Sequence, residues 1–344
     1  MLRLVLLLTL WTVLATAQTV TPLDSHTAEN LRGVSAVNAT IIWASGTHGT
    51  YLRTTDAGKS WTTAQVPGAE KLDFRDVEAF SADEAYLLAA GPGNQSRIYK
   101  TTDAGQHWSL QFTNTDPQGF YDCFAFWDRN HGIAVGDPVD GRFELLTTDD
   151  GGVHWTQHPT RSRPQALPRE GAFAASGTCI AVQGKANVWF ATGGKVARVF
   201  RSSNAGKTWT VADTPMVHGP DSTGIFSIAF RDSMHGVIAG GDYKHPGQDS
   251  SANLAFSNDG GLTWNPSTLS PEAYGSAAAF AKAASGGTAV LVVGTTGASY
   301  SDDIAKKSWQ KTWDLNLNAL SISPTGNTIA VGPNGLIVNL ATVH

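Results

Sequence analysis

The sequence predicts an all-β chain folded as a seven-bladed β-propeller, with a six-bladed ring as the alternative. Three observations predict it: one turn recurs six times along the 344 residues, seven apolar runs end in glycine, and no long helical periodicity occurs. The turn copies end at Trp61, Trp108, Trp155, Trp209, Trp264 and Trp309, at spacings of 47, 47, 54, 55 and 45 residues. A period of that size built from strands and turns denotes a propeller or a related repeat array.

The first copy reads Thr-Thr-Asp-Ala-Gly-Lys-Ser-Trp, and the next four vary it only slightly. Asp56, Asp103, Asp150 and Asp259 are placed to accept hydrogen bonds from amides of their own loop. Asn204 substitutes in the fourth copy. Gly58, Gly105, Gly152, Gly206 and Gly261 supply the positive φ that a tight hairpin often requires. Each Trp opens the next strand and carries apolar surface inward. The sixth copy, Ser301 to Trp309, lacks the glycine and is one residue longer, so a looser hairpin is expected.

Between the turns, short apolar runs read as innermost strands: Cys123 to Phe126, Cys179 to Val182, Phe226 to Phe230 and Ala277 to Phe280. Second strands end at Gly46, Gly91, Gly136, Gly193, Gly240, Gly294 and Gly332, seven against six turns. The last unit, Leu317 to His344, has room for three strands only, while Thr19 to Leu23 is a β-rich segment without a partner. Lending that segment to the last blade closes the ring and leaves no sheet edge exposed.

No linker-like composition divides the chain, so residues 18–344 are expected to form one domain. A formal charge of −5 argues against nucleic acid as a partner, because phosphate binding needs a basic face. Residues 1–17 read as a signal peptide: Arg3, an apolar stretch from Leu4 to Leu14, then Ala15-Thr16-Ala17 before Gln18. The stretch is short for a stable membrane span, and no Cys follows the cleavage site, so a periplasmic or secreted product that is not a lipoprotein is the expectation.

Cys123 and Cys179 open the innermost strands of consecutive units. They are either a disulfide in an oxidising compartment or two buried small hydrophobes.

Function in a propeller usually sits on the face opposite the repeated hairpins, where inner strands begin and second strands end. That rule selects Arg75, Asp76, Tyr121, Asp122, Glu170 and Phe226 from the former, and His48, Asp137, Lys195, Asp242 and Tyr243 from the latter. The insertions Gly136 to Arg142 and Gly240 to Ser251 fall on the same face. Its carboxylates could place an acid and a base across a sugar bond. No metal-ligand spacing, nucleophile elbow or phosphate-binding glycine loop occurs, so no metal and no cofactor is expected.

The repeated turn resembles the Asp-box, or BNR, repeat of sialidase-like propellers. The arginine, tyrosine and glutamate set with which sialidases hold and attack substrate is not found. The mature chain as a whole resembles the photosystem II stability/assembly factor-like propellers, within an exported bacterial branch often labelled oxidoreductase or glycosyl hydrolase. The residues that carry this likeness are Tyr121-Asp122-Cys123-Phe124-Ala125-Phe126-Trp127, Gly136-Asp137-Pro138-Val139-Asp140-Gly141-Arg142-Phe143, Val188 to Gly194, Gly224-Ile225-Phe226-Ser227 and Gly240-Gly241-Asp242-Tyr243. The resemblance implies a monomeric, non-catalytic scaffold that binds a protein partner; a glycan-active hydrolase or lectin is the alternative. Photosynthetic members bind a membrane-protein partner through a basic patch, whereas this chain has an acidic balance and no arginine stripe.

Overall fold

Seven four-stranded antiparallel blades, each running from the axis outward, form the ring in the computed structural model, which describes residues 20, 22–248, 252–267, 274–283, 286–302 and 309–340. Residues 1–17, the sixth turn over 303–308 and the end of the Gly240 to Ser251 insertion lie outside the described residues. Innermost strands are Leu31–Ala36, Phe74–Ala79, Tyr121–Phe126, Ile180–Gln183, Thr223–Phe230, Ala277–Lys282 and Ala319–Ile322, which number the blades one to seven. Blade seven takes its outermost strand from Pro22–Leu23, paired as Pro22 with Val338 and Leu23 with Ile337. The N-terminal segment therefore closes the ring, as the count of strands requires.

Second strands are almost wholly buried, as in Ile42–Gly46 and Ala85–Ala89, because each is covered on both faces by neighbouring blades. Outer strands are more exposed than the second strands, and some are wholly polar apart from one alanine, as in Thr62–Gln65. The core is consequently a set of apolar layers between blades rather than one central mass.

The turns hold themselves by two kinds of bond. In the first copy Asp56 Oδ1 accepts the Ser60 amide at 2.9 Å, while Thr54 Oγ1 accepts the Gly58 amide at 3.0 Å. The pattern repeats at Thr101/Asp103, Thr148/Asp150, Ser202/Asn204 and Ser257/Asp259. Bonds from Ser60 pull the Asp56 carboxyl down to about 2, and bonds from His154 do the same for Asp150. The box glycines take φ of 79 to 86°. The residue before each also has positive φ, 65° at Ala57 and Ala104 and 55° at Ala205. Sequence reading gave the turn its aspartate and glycine but missed both the hydroxyl two positions upstream and the strained alanine.

Among the described residues, at least one bond made by a side chain crosses each of the seven blade junctions near the axis. Ser321 Oγ accepts the Ala36 amide, Ser35 Oγ the Ala79 amide, and Asp76 Oδ2 the Phe124 amide. Cys123 and Cys179 form a disulfide between blades three and four, with Cα atoms 6.1 Å apart. Thr178 Oγ1 then donates to Ser227 Oγ, which accepts the Ala278 amide, and Ser276 Oγ donates to the Leu317 carbonyl. Apolar burial between blades is non-directional, and this girdle adds a directional bond at each junction.

Candidate functional site: a pocket at the mouth of the axis

The pocket is built by β-bulges. Register shifts interrupt the inner strands of blades one, two, three and five at Arg32, Arg75, Asp122 and Phe226. A bulge lets two residues oppose one, so the extra side chain is re-aimed. All four of these residues line one cavity of about 450 Å³.

Its floor is the segment Gly171 to Thr178, which leads into the inner strand of blade four and lies against five other blades. Arg32 and Arg75 donate to the Ala174 carbonyl at 3.5 and 3.1 Å, and Asp137 Oδ1 accepts the Ala172 amide at 3.0 Å. Ser176 Oγ donates to the Ser276 carbonyl, and Thr178 Oγ1 to Ser227. Below Gly177 a second cavity of about 520 Å³ follows the axis, with Asp76 and Glu78 on its wall. The carboxylate of Asp76 presses on Gly177, where a Cβ would lie 2.3 Å from it.

One wall of the mouth is aromatic. Phe226 is the hub, its ring centroid 4.5 Å from Phe173, 5.1 Å from Tyr274 and 6.2 Å from Tyr243. The opposite side carries Asp122 and Asp137. Burial pushes the Asp122 carboxyl well above the usual carboxylate range, and the neighbouring Asp137 adds to the rise against Arg75. Burial likewise raises Asp137 to about 6, against the bond from Ala172. Neither makes an ion pair among the described residues, while Arg75 is engaged by Asp73 at 2.7 Å.

Of the residues selected from sequence, the fold brings Arg75, Asp122, Asp137, Phe226 and Tyr243 together. The others are elsewhere. Asp76 is corrected from the mouth to the axial girdle, since it follows the bulged residue. Tyr121 is 1% exposed and packs on Phe112, so it offers no surface to a partner. Glu170 is buried in a pair with Arg198, 2.9 Å from its Nε. His48 pairs with Glu29 on the rim, exposed Lys195 lies outside the cavity, and Asp242 caps its own loop through His245 and the Lys244 amide. Sequence reasoning missed Arg32, Phe120, Phe173, Tyr274 and Asn318. Aligning the units at their bulges, Leu31-Arg32-Gly33 with Phe74-Arg75-Asp76 and Tyr121-Asp122-Cys123, would have found Arg32.

These features define a β-propeller whose mouth is a built pocket rather than an open pore. No family model matches the chain. It is similar to the photosystem II assembly lipoprotein Ycf48 of Synechococcus sp. (strain CC9902), 26% identical over 229 residues covering 64% of this chain and 57% of that protein. The protein of the same name from a Picosynechococcus strain is 24% identical over 265 residues, covering 64% of this chain and 69% of the relative. The chain thus spans little more than half the length of the first of these. A solved structure described as YCF48 bound to D1 peptide superposes with a TM-score of 0.65 at 15% identity, covering 93% of this chain and 96% of that one. The WD40 propeller domain of Doa1 gives 0.59 at 13%, covering 93% and 94%. At these identities the superpositions show the propeller fold alone, and the sequence matches show the likeness to photosystem II assembly factor-like propellers.

Proposed function

We propose that the chain is an exported, non-catalytic binding or assembly scaffold, working as a monomer in the periplasm or outside the cell. Residues 18–344 make one propeller that holds a segment of a protein partner at its mouth. The observation that carries this reading is the four-ring cluster around Phe226, set beside two carboxylates on adjacent strands of blade three. Aromatic anchors in a partly desolvated site are what a peptide segment needs. The sequence match to proteins named as assembly factors points the same way. Asp137, with one oxygen tied to the Ala172 amide, positions the floor of the pocket. A glycan is the second reading, favoured by carboxylates beside aromatic rings, which suit hydroxyls and the apolar face of a sugar.

Parallel peptide and glycan arrays decide between them. Tiled segments of exported and membrane proteins should bind, with at least about tenfold loss for Phe173→Ala and Tyr243→Ala, a change worth about 1.4 kcal/mol per decade. Binding of glycans alone, lost in the same variants, would reverse the conclusion.

A further inference from the structure

Among the described residues no cationic side chain pairs with the carboxylates of the mouth pocket. Asp122 is 2% exposed, lines the cavity, and its Oδ2 has no hydrogen-bond partner. A buried acceptor without a donor is expensive unless something supplies one. The two guanidinium groups in the pocket do not supply it: Arg75 holds Asp73 and the Ala174 carbonyl, and Arg32 reaches the same carbonyl. Asp137 stands next to Asp122 with only the Ala172 amide on its Oδ1.

We propose that the pocket takes the cationic end of a lysine or arginine side chain from the partner segment, seated on Asp122 and Asp137 with its stem against Phe173 and Tyr243. This rests on the scaffold reading and names the chemistry it recognises. Tyr243 is 48% exposed at the rim, where a guanidinium or ammonium can approach its ring face. The Nε of Arg32, buried and without a partner, is free to donate to a carbonyl of the same segment.

The groups facing the carboxylates are Arg32 and Arg75, with Asp73 behind them, and Tyr243 and Tyr274 across the cavity. Burial holds the Asp122 carboxyl well above the usual carboxylate range and Asp137 at about 6, whereas a cation favours the ionised forms of both, so binding strengthens as pH rises through about 6.

The test uses defined peptides with the whole exported chain. Acetyl-Gly-Arg-Gly-amide, its citrulline counterpart and its glutamate counterpart are titrated by calorimetry at pH 5.5 and 7.5. The arginine peptide should bind at least about tenfold tighter than the citrulline peptide at pH 7.5, and Asp137→Asn should abolish that advantage. Equal binding of citrulline, or tighter binding of glutamate through Arg32 and Arg75, overturns the proposal without needing any variant to fold. If the peptide array instead selects acidic or uncharged segments, the cation site is refuted while the scaffold reading stands. An array silent to peptides but positive for glycans refutes the scaffold reading itself.

Discussion

Two substitutions three residues apart in one turn should change stability in opposite directions. Thr101 is 1% exposed, and its Oγ1 accepts the Gly105 amide at 2.9 Å and donates to Asp103 Oδ1 at 3.0 Å. Thr101→Val keeps the shape and removes the acceptor, leaving a buried amide unpaired at about 1 to 3 kcal/mol. Ala104 sits at φ 65°, a region that disfavours a Cβ by about 1 to 2 kcal/mol. Ala104→Gly removes that strain, and the greater freedom of glycine in the unfolded chain returns about 0.5 to 1 kcal/mol. A net gain of about 0.5 to 1 kcal/mol remains. The turns of blades three and five already carry Gly151 and Gly260 at this position, at φ 71° and 78°. Chemical denaturation of the two variants beside the parent is the assay. A neutral Thr101→Val, or an Ala104→Gly that destabilises, would refute the account of the turn.

Replacing both Cys123 and Cys179 by Ala should remove about 4 kcal/mol, from the closure entropy of a loop whose ends are 56 residues apart; urea midpoints with and without reductant measure it, and an unchanged midpoint would show that the girdle does not need this link. Deleting residues 18–23 strips the outermost strand from blade seven and exposes the edge of Ile337–Leu340, so the melting temperature should fall and self-association appear in light scattering. Stability should also fall as pH rises from about 4 to 7, because Asp137 and Glu78, raised by burial to about 6 and about 7, bind protons in the folded state that the unfolded chain has already lost. Asp137→Asn with Glu78→Gln should flatten that slope. The box carboxylates act with the opposite sign: with Asp56 and Asp150 held to about 2, the stability they add is present above pH 4 and is lost as pH falls below it.

Fold and blade number were determined by the sequence alone, because a hairpin turn is a local device. Aspartate, glycine and tryptophan at fixed offsets specify it within eight residues, and counting second strands against turns gives seven blades. The unpaired N-terminal segment then has one place to go, beside Ile337–Leu340. Five of the mouth residues were also legible, since the ends of inner and second strands can be counted from the turns.

Only tertiary structure decided the rest, because it depends on shifts of one residue and on contacts far apart in the chain. A bulge sends Arg75, Asp122 and Phe226 to the mouth and the next residue, Asp76, Cys123 or Ser227, into the girdle, so Asp76 and Asp122, alike on paper, serve different ends. Tyr121 went to the core for the same reason. The floor over Gly171 to Thr178 has no periodicity to announce it, and it is fixed by Arg32, Arg75, Asp137, Ser227 and Ser276, up to 142 residues away. Hydrogen bonds between sequence-distant blades carry no local signature, and they are what turns an axial hole into a pocket with an uncompensated pair of carboxylates.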